Sequence, residues 1–304
     1  MRILALFLPI FLLGDGHIFL YHRFGDSRHP YTNTPINQLI KNFEYLKLHN
    51  YKVIDSKLLL QKAKNGENVD KFVSIQIDDS FKSFYKNGFP IFKKYNYPFT
   101  LFVYVKGTTE KWGDFMNWKM IKEVSKYGDI QFHSYAHPHL TTLTLQQIKN
   151  DTEKGVQIFK KEMGYNPDSY AYPYGEYNLT VQKYLSKKFN YIYNQNEGGI
   201  NVWTDFQDVP RIAMTGEVDI SKKLKLSEMG VEDFQIELKN GIIKKISGNV
   251  PYKKLRIYIT SLGWKWVTTQ NGYFEYYPNF KLKKFRNRVI LRYKNQLFIK
   301  MVTK

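Results

Sequence analysis

Short apolar runs typical of β-strands alternate with helical segments up to about residue 210 of this 304-residue chain. Residues 73–77 (VSIQI) predict a strand, and residues 35–49 predict a helix with Leu39, Phe43 and Leu46 on one face. Such alternation is the pattern of an α/β fold with a parallel sheet. No Gly-rich dinucleotide-binding turn follows the first strand, so the repetition favours a barrel over an open sheet.

The pattern changes near residue 215, where alternating runs without helices begin. Asn-Gly pairs at residues 240–241 and 271–272 each separate two such runs, and residues 288–302 predict a third hairpin. Asn-Gly between alternating strands is the strongest short hairpin signal. We therefore predict an α/β domain over residues 17–214 and a small all-β domain over residues 215–304.

The first sixteen residues, MRILALFLPIFLLGDG, have the three-part form of a secretory signal. A single Arg precedes an apolar run over residues 3–13, which is too short to span a bilayer. Gly14 and Gly16 fit a small-x-small cleavage site. We predict a signal peptide over residues 1–16 and export to the periplasm, the cell envelope or the extracellular space. A buried first strand is the alternative.

The formal net charge of +19 is concentrated in the predicted all-β domain, which has 19 Lys and Arg against 7 Asp and Glu, a net charge of +12. This charge suggests an anionic partner such as a membrane or envelope surface. A general bias towards Lys, Asn, Tyr, Phe and Ile, and hence a merely solvated basic surface, is the alternative. No zinc finger, helix-turn-helix or aromatic-basic RNA motif is present, so no nucleic-acid partner is expected.

Polar clusters follow four of the predicted strands, at the edge where parallel α/β folds collect catalytic groups. They are Tyr21-His22-Arg23, Asp78-Asp79-Ser80, the segment 133–137 (HSYAH), and Tyr172-Pro173-Tyr174-Gly175. The aromatic residues near these clusters, including Tyr21, Tyr135, Tyr172 and Trp118, have two interpretations: platforms for sugar rings, or core packing.

Within these clusters, His133 and His137 are four residues apart, and a helical turn would place both on one face, as two ligands of a metal require. The chain has no Cys, so any metal must bind His, Asp or Glu. One of the paired aspartates can complete the ligand set, which leaves the other to deprotonate a water. An exposed or internally satisfied histidine pair is the alternative.

Three segments, IQIDDS at residues 75–80, HSYAHP at 133–138 and AYPYG at 171–175, resemble the motifs of the polysaccharide deacetylase family (carbohydrate esterase family 4). The resemblance runs from about residue 17 to residue 212. It implies a distorted (β/α) barrel of about seven strands and metal-dependent hydrolysis of an acetamide. The metal would be divalent, in the first place Zn²⁺, with Co²⁺, Ni²⁺ or Fe²⁺ as alternatives.

The same resemblance assigns roles to individual residues. Asp78 corresponds to the general base. Tyr174 corresponds to the residue whose backbone N–H binds the oxyanion, which is a large catalytic contribution in such reactions. The metal ligands would be Asp79, His133 and His137.

Two departures from the family pattern narrow the prediction. Ala171 stands where the third motif usually has an Arg that holds the general base in place. We predict that Arg211 holds Asp78 instead, and a structural or surface Arg is the alternative. No His follows His139, although ordinary members have a late His as general acid, so His22 becomes the candidate acid. A His merely packed in a loop is the alternative for His22, and His139 itself is interpreted as structural.

An acid on the first strand resembles a circularly permuted branch of the family, similar to N-deacetylases of poly-β-1,6-N-acetylglucosamine, a biofilm polymer. Permutation is harmless in a closed barrel because the first and last strands are neighbours. We therefore predict N-deacetylation of this polysaccharide with release of acetate. Peptidoglycan, chitin-like oligomers or an O-acetyl ester are alternative substrates, and a weakly catalytic glycan-binding protein of the cell envelope is an alternative of another class.

Overall fold

The computed structural model describes residues 14–284 and 286–303, so residues 1–13 of the predicted signal peptide lie outside the described residues. The first part of the chain alternates strands and helices. Its strands are β1 (His17–Tyr21), β2 (Arg23–Phe24), β3 (Asn33–Thr34), β4 (Lys52–Val53), β5 (Phe72–Ile77), β6 (Thr100–Val103), β7 (Asp129–Phe132), β8 (Ser169–Ala171), β9 (Tyr191–Tyr193) and β10 (Ile212–Ala213).

Within the described residues, eight α-helices connect or follow these strands, and the first of them lies inside the range 35–49 predicted for it. They are α1 (Ile36–Leu48), α2 (Ser56–Lys64), α3 (Phe89–Tyr95), α4 (Val105–Thr109), α5 (Trp118–Val124), α6 (Leu145–Met163), α7 (Leu179–Leu185) and α8 (Ile220–Lys223). A π-helical turn at Phe84–Gly88 precedes α3, and 3₁₀ turns occupy Leu140–Thr142 and Pro173–Gly175. Helix α4 was not predicted from the sequence.

The main sheet is parallel and has the order β10-β1-β5-β6-β7-β8-β9, with β4 beside β5. A parallel bridge between Tyr193 and Val209 brings the β9 end close to the segment that leads into β10. The predicted distorted barrel of about seven strands is therefore confirmed. The first strand, β1, pairs with β10, the last strand of the sheet, as closure of the barrel requires.

The barrel core contains many aromatic side chains, and its central strands are buried on both faces. Strand β5 is buried along nearly its whole length, as parallel strands between helical layers are. Tyr21, Tyr172 and Trp118 lie in this core with at most 9% of their surface exposed, so core packing is their role. Tyr135 is partly buried against the same core.

Helix α6 begins at a capping box formed by Thr144 and Gln147. The Thr144 hydroxyl accepts a hydrogen bond from the Gln147 amide, and the Gln147 side chain accepts one from the Thr144 amide. We expect Thr144→Ala to lower the free energy of unfolding by about 1 kcal/mol, because it leaves a helix-end N–H without its partner. Urea unfolding measures this loss. Thr144→Ser keeps the hydroxyl and serves as the matched control, and equal losses in the two variants would contradict the assignment.

The second part of the chain is the predicted all-β unit, and it has two sheets. Strands β11 (Ser227–Glu228), β14 (Lys254–Ile259), β15 (Gly263–Thr268), β18 (Arg286–Tyr293) and β19 (Gln296–Thr303) form one sheet. Strands β12 (Glu232–Lys239), β13 (Ile242–Asn249), β16 (Tyr273–Tyr276) and β17 (Phe280–Lys281) form the other. A separate core of aliphatic and aromatic side chains fills the space between them.

Two of the three predicted hairpins are confirmed, at β12–β13 around residues 240–241 and at β18–β19. The hairpin predicted across residues 271–272 is wrong. The Asn271-Gly272 turn forms with positive φ angles, but β15 pairs with β14 and β16 pairs with β13. The physical reason is that Val267 and Phe274 are both buried in the core between the two sheets, so the turn carries the chain from one sheet to the other.

The two units contact each other directly. Lys300 of β19 donates a 2.5 Å hydrogen bond to Asp208, and Arg288 of β18 donates one to Asn196. The segment around α8 packs on the barrel core, since Ile220 belongs to that core cluster. Within residues 14–284 and 286–303, no helix combines the length and the apolar character that crossing a membrane requires.

Candidate active site

Four chain segments bring polar side chains to one edge of the barrel, at the carboxyl ends of parallel strands. His22 follows β1, Asp78 and Asp79 follow β5, and the segment 133–137 follows β7. The third motif, at residues 171–175, begins in the last residue of β8 and continues beyond it. The structure therefore brings the candidate residues of these segments together at one edge of the barrel.

The two adjacent aspartates reach the same pocket because the backbone turns sharply between them. Asp79 and Ser80 have φ angles of 72° and 56°, in the left-handed region that side chains other than glycine rarely adopt. The Ser80 hydroxyl hydrogen-bonds the Asp79 carbonyl and the Thr108 hydroxyl and so holds the turn. Such strain is typical of functional sites, where the surrounding structure supports it.

Asp79, His133 and His137 converge in a geometry suited to a metal. The Asp79 Oδ1 atom lies 3.3 Å from His133 Nε2 and 3.2 Å from His137 Nε2, and the two Nε2 atoms are 3.2 Å apart. Ligands about 2.0–2.1 Å from a tetrahedral zinc would lie about 3.3 Å from one another. The three ligand atoms therefore fit one small cation.

Neighbouring groups orient the two histidines for this purpose. The His133 Nδ1 atom is 2.8 Å from the Ala171 carbonyl, so Nδ1 carries the proton and Nε2 presents its lone pair. His137 has a φ of 52°, and its amide donates to the Ser134 hydroxyl. The spacing had suggested a helical turn between the histidines, but the turn is not helical. Their side chains meet nevertheless, because the Asp151 carboxylate of α6 accepts hydrogen bonds from the amides of residues 135 and 136 and holds the turn.

The electrostatics of the pocket favour a positive charge at this position. Burial alone would raise the pKa of Asp79, but hydrogen bonds and charges from His133 and His137 hold the pKa well below its usual value. Burial opposes a charge on His133, yet the carboxylates of Asp78 and Asp79 outweigh it and raise the pKa of His133. The residues present therefore fit a bound divalent cation.

Arg211 contacts Asp78 through a bidentate ion pair. Both guanidinium Nη atoms donate 2.8 Å hydrogen bonds, one to each carboxylate oxygen of Asp78, and neither residue is exposed. Arg211 also donates to the Asn194 carbonyl and the Gln76 side chain. Burial would raise the pKa of Asp78, but the Arg211 charge, with His133 and His22, brings the pKa below its usual value. Asp78 therefore stays ionised at neutral pH.

His22 and Tyr174 lie on two sides of this cluster. The His22 Nε2 atom is 4.0 Å from Asp78 Oδ2, and burial lowers the pKa of His22 despite the nearby carboxylates of Asp79 and Asp78. Tyr174 has a φ of 58°, and its ring centroid is 4.5 Å from that of His137. His139, interpreted as structural, donates a hydrogen bond from Nδ1 to the Glu176 carboxylate and stacks on Tyr174.

Several residues at the site were missed from the sequence. Tyr104 packs 5.5 Å from the His137 ring, and the partly exposed Trp112 packs against Tyr104. Asp151 lies in the middle of a long helix, and Glu176 directly follows the third motif. No spacing or composition signal distinguishes these residues from ordinary core and surface positions.

The comparison with protein families agrees with this geometry, since the polysaccharide deacetylase model matches residues 65–192. The chain contains a polysaccharide deacetylase domain. It is 27% identical over 199 residues to the poly-β-1,6-N-acetyl-D-glucosamine N-deacetylase of Staphylococcus aureus (strain MSSA476), which covers 60% of this chain and 67% of that relative. The protein is accordingly a hydrolase that acts on amide bonds.

Solved structures of deacetylases have the same fold as this polysaccharide deacetylase domain. The deacetylase PplD from Streptococcus pyogenes, in complex with acetate, aligns with a TM-score of 0.61 at 21% identity, over 66% of this chain and 92% of PplD. IcaB from Ammonifex degensii aligns with a TM-score of 0.59 at 23% identity, over 66% of this chain and 92% of IcaB. At such identities the likeness establishes the fold.

Proposed function

We propose that this protein removes acetyl groups from poly-β-1,6-N-acetylglucosamine in a metal-dependent reaction that releases acetate. The convergence of Asp79, His133 and His137 beside the Asp78–Arg211 pair carries the proposal, because it combines a cation site with an ionised carboxylate. The activity after which the S. aureus relative is named supports the choice of polymer.

The metal would be held by Asp79, His133 and His137, with positions left open for substrate. Three protein ligands with an open position characterise a catalytic rather than a structural zinc site. When bound, the metal polarises the acetamide carbonyl and lowers the pKa of water. We propose Zn²⁺ in the first place, with Co²⁺, Ni²⁺ and Fe²⁺ as alternatives, since imidazole ligands bind several of these metals and the identity of the metal depends also on its availability.

The chain's own groups carry out the proton transfers. Asp78 accepts a proton from the attacking water, while Arg211 holds the carboxylate in place. The Tyr174 N–H donates to the carbonyl oxygen as negative charge develops there. His22 then donates a proton to the nitrogen as the C–N bond breaks. The products are acetate and a glucosamine unit.

The direct test is acetate release from poly-β-1,6-N-acetylglucosamine by the wild-type protein and by Asp78→Asn, with metal content measured in both. We expect Asp78→Asn to reduce kcat about 10²–10⁴-fold, the usual contribution of a general base, while its metal content stays the same. Release from peptidoglycan, chitin-like oligomers or an O-acetyl ester alone would transfer the proposal to that substrate. Glycan binding without acetate release would favour a binding protein.

His22 has a test that separates the acid role from packing. We expect His22→Ala to slow acetate release from N-acetyl substrates about 10²–10⁴-fold, because the amine leaves poorly without a proton. An activated O-acetyl ester, whose leaving group needs no protonation, is the control substrate and should lose much less. Equal losses on the two substrates would contradict the acid role.

We also propose export, with residues 1–16 as a cleaved signal and the polymer encountered in the cell envelope or outside the cell. Asp15 bears on the cleavage position, because its carboxylate accepts hydrogen bonds from the Glu228 amide and the Asn201 side chain. Cleavage after Gly16 would remove this contact, and cleavage before Asp15 would keep it. N-terminal sequencing of the exported protein distinguishes the two positions.

The basic all-β unit is proposed to attract the protein to an anionic membrane or envelope surface. Such attraction between separated charges weakens as salt screens it. Binding to anionic liposomes should therefore fall steeply between about 0.05 M and about 0.5 M salt, because the Debye length shortens over this range. No binding at low salt, or binding that salt does not change, would contradict the idea.

A further inference from the structure

A groove of about 540 Å³ lies on the all-β unit. The cations Lys284, Arg286 and Arg288 and the aromatic residues Tyr258 and Trp264 line it, together with Thr260 and Ile290. The volume is within the range of about 300–1,000 Å³ typical of ligand sites. Such sites combine apolar and aromatic walls with a few polar groups, as this groove does.

Adjacent strands build the groove, so its side chains are held on a rigid surface. Tyr258 of β14 is opposite Trp264 of β15, and their ring centroids are 5.3 Å apart. Tyr258 is also opposite Ile290 of β18. Arg288 is anchored by its hydrogen bond to Asn196 of the barrel. The groove therefore spans strands β14, β15 and β18 of the all-β unit and reaches the deacetylase domain.

Arg286 joins this groove directly to the active site. Its Nη1 atom donates 3.1 Å hydrogen bonds to the Tyr174 carbonyl and to Glu176 Oε1. Tyr174 in turn packs against His137, one of the three candidate metal ligands. Arg286 therefore lines the groove and also contacts the loop that contains Tyr174, beside the candidate metal ligand His137.

We propose that this groove binds a stretch of N-acetylated glycan next to the sugar unit undergoing deacetylation, and that its cations disfavour stretches already deacetylated. The inference rests on the proposed deacetylase function. Neutral acetamido sugars present apolar ring faces to Trp264 and Tyr258 and oxygen acceptors to the guanidinium groups. Glucosamine units carry ammonium groups, which Arg286 and Arg288 repel. The groove would thereby favour sites flanked by acetylated sugar.

The carboxylates near the groove do not cancel this repulsion. Glu176 accepts hydrogen bonds from Arg286 and contacts His139, so its charge is already shared. Glu197 forms an ion pair with Lys223. Three cations against these two occupied acids leave the groove positive. An anionic polymer is the competing occupant, and the test below includes it.

The test compares substrates of different length and composition. For the wild type we expect kcat/KM for acetate release to rise from N-acetylglucosamine dimers to hexamers. Trp264→Ala should reduce this hexamer-to-dimer ratio about tenfold, mainly through KM, because one stacking contact is lost. The matched control is Tyr277→Ala, which removes an exposed tyrosine directly after β16 and outside the groove. An unchanged ratio in Trp264→Ala would overturn the proposal.

A second variant tests whether the positive charge of the groove disfavours glucosamine units. Arg288→Gln should reduce the preference for fully acetylated hexamers over hexamers with glucosamine at internal positions. Arg292→Gln, on the same strand but outside the groove lining, is the control for net charge. Equal preferences in the wild type and Arg288→Gln would contradict the role of charge.

A binding measurement separates this inference from the proposed function. Calorimetric titration of Asp78→Asn and Asp78→Asn/Trp264→Ala with N-acetylglucosamine hexamer requires no turnover, and we expect about tenfold weaker binding in the second variant. Lack of acetate release by the wild type would refute the proposed function. Equal hexamer affinities, or a Trp264-dependent affinity for a polyphosphate alone, would refute the inference.

Discussion

Asp79→Ala is expected to lose its divalent metal and, with it, at least about 10³-fold in acetate release, since a metal contributes several kcal/mol to such a reaction. The Nε2 atoms of the two remaining histidines lie 3.2 Å apart. The neighbouring Asp78 carboxylate is held by Arg211, and its Oδ2 atom is 3.9 Å from His133 Nε2, so it does not take the place of Asp79. Metal analysis after dialysis should give about one ion per wild-type chain and almost none per variant chain. Activity on the glycan and metal content should fall together.

His139→Ala is the matched comparison for this result. His139 lies two residues beyond His137, but it contacts Glu176 and Tyr174 rather than the ligand cluster. The His139→Ala variant should therefore keep its metal. A loss of metal from His139→Ala equal to that from Asp79→Ala would show that the assignment of ligands is wrong, as would full metal content in Asp79→Ala.

Arg211→Met is expected to lower the free energy of unfolding by about 3–5 kcal/mol, because it leaves the Asp78 carboxylate buried without its partner. Both side chains are completely buried in the wild-type protein. The double variant Asp78→Leu/Arg211→Met removes both charges and should recover much of this loss. Urea unfolding of the wild type, both single variants and the double variant measures the coupling. Additive losses would contradict a tight ion pair.

The same pair has a pH dependence with a defined sign. The pKa of Asp78 is lower in the folded protein than in the unfolded chain, so the pair stabilises the protein above the unfolded pKa of about 4. This stabilisation is lost as the pH falls through the folded pKa. The difference in stability between wild type and Arg211→Met should therefore be largest at neutral pH and shrink in acid. In the variant, the acid limb of the activity–pH profile should move to higher pH.

The sequence predicted the α/β barrel, the following all-β unit and the residues that meet at the site. Strand exits carry this information, because polar residues directly after apolar runs have few structural explanations. The sequence did not predict how the groups meet. The left-handed turn at Asp79 depends on the hydrogen bond between Ser80 and Thr108, which is distant in sequence. The left-handed turn at His137 depends on the Ser134 hydroxyl, and a serine at that position gives no sequence signal of this role.

The errors have the same origin. The turn at residues 271–272 was identified correctly, but the partners of its two strands are chosen by burial of Val267 and Phe274 between two sheets. Pairing of that kind is a tertiary property, and local alternation does not report it. The groove beside Arg286 was not predicted either, because its lining combines side chains of the β14–β15 hairpin with Lys284 and residues of β18, which follow later in the chain.

The hydrogen bonds of Arg286 have a consequence for how the two halves of the chain can vary. Glu176 is only 7% exposed, and its carboxylate depends on Arg286 and His139 for partners. A neutral residue at position 286 would leave a nearly buried acid poorly compensated beside the Tyr174 loop. Changes at positions 176 and 286 should therefore be tolerated together more readily than singly. In this sense the barrel and the all-β unit would be inherited as a matched pair rather than as exchangeable modules.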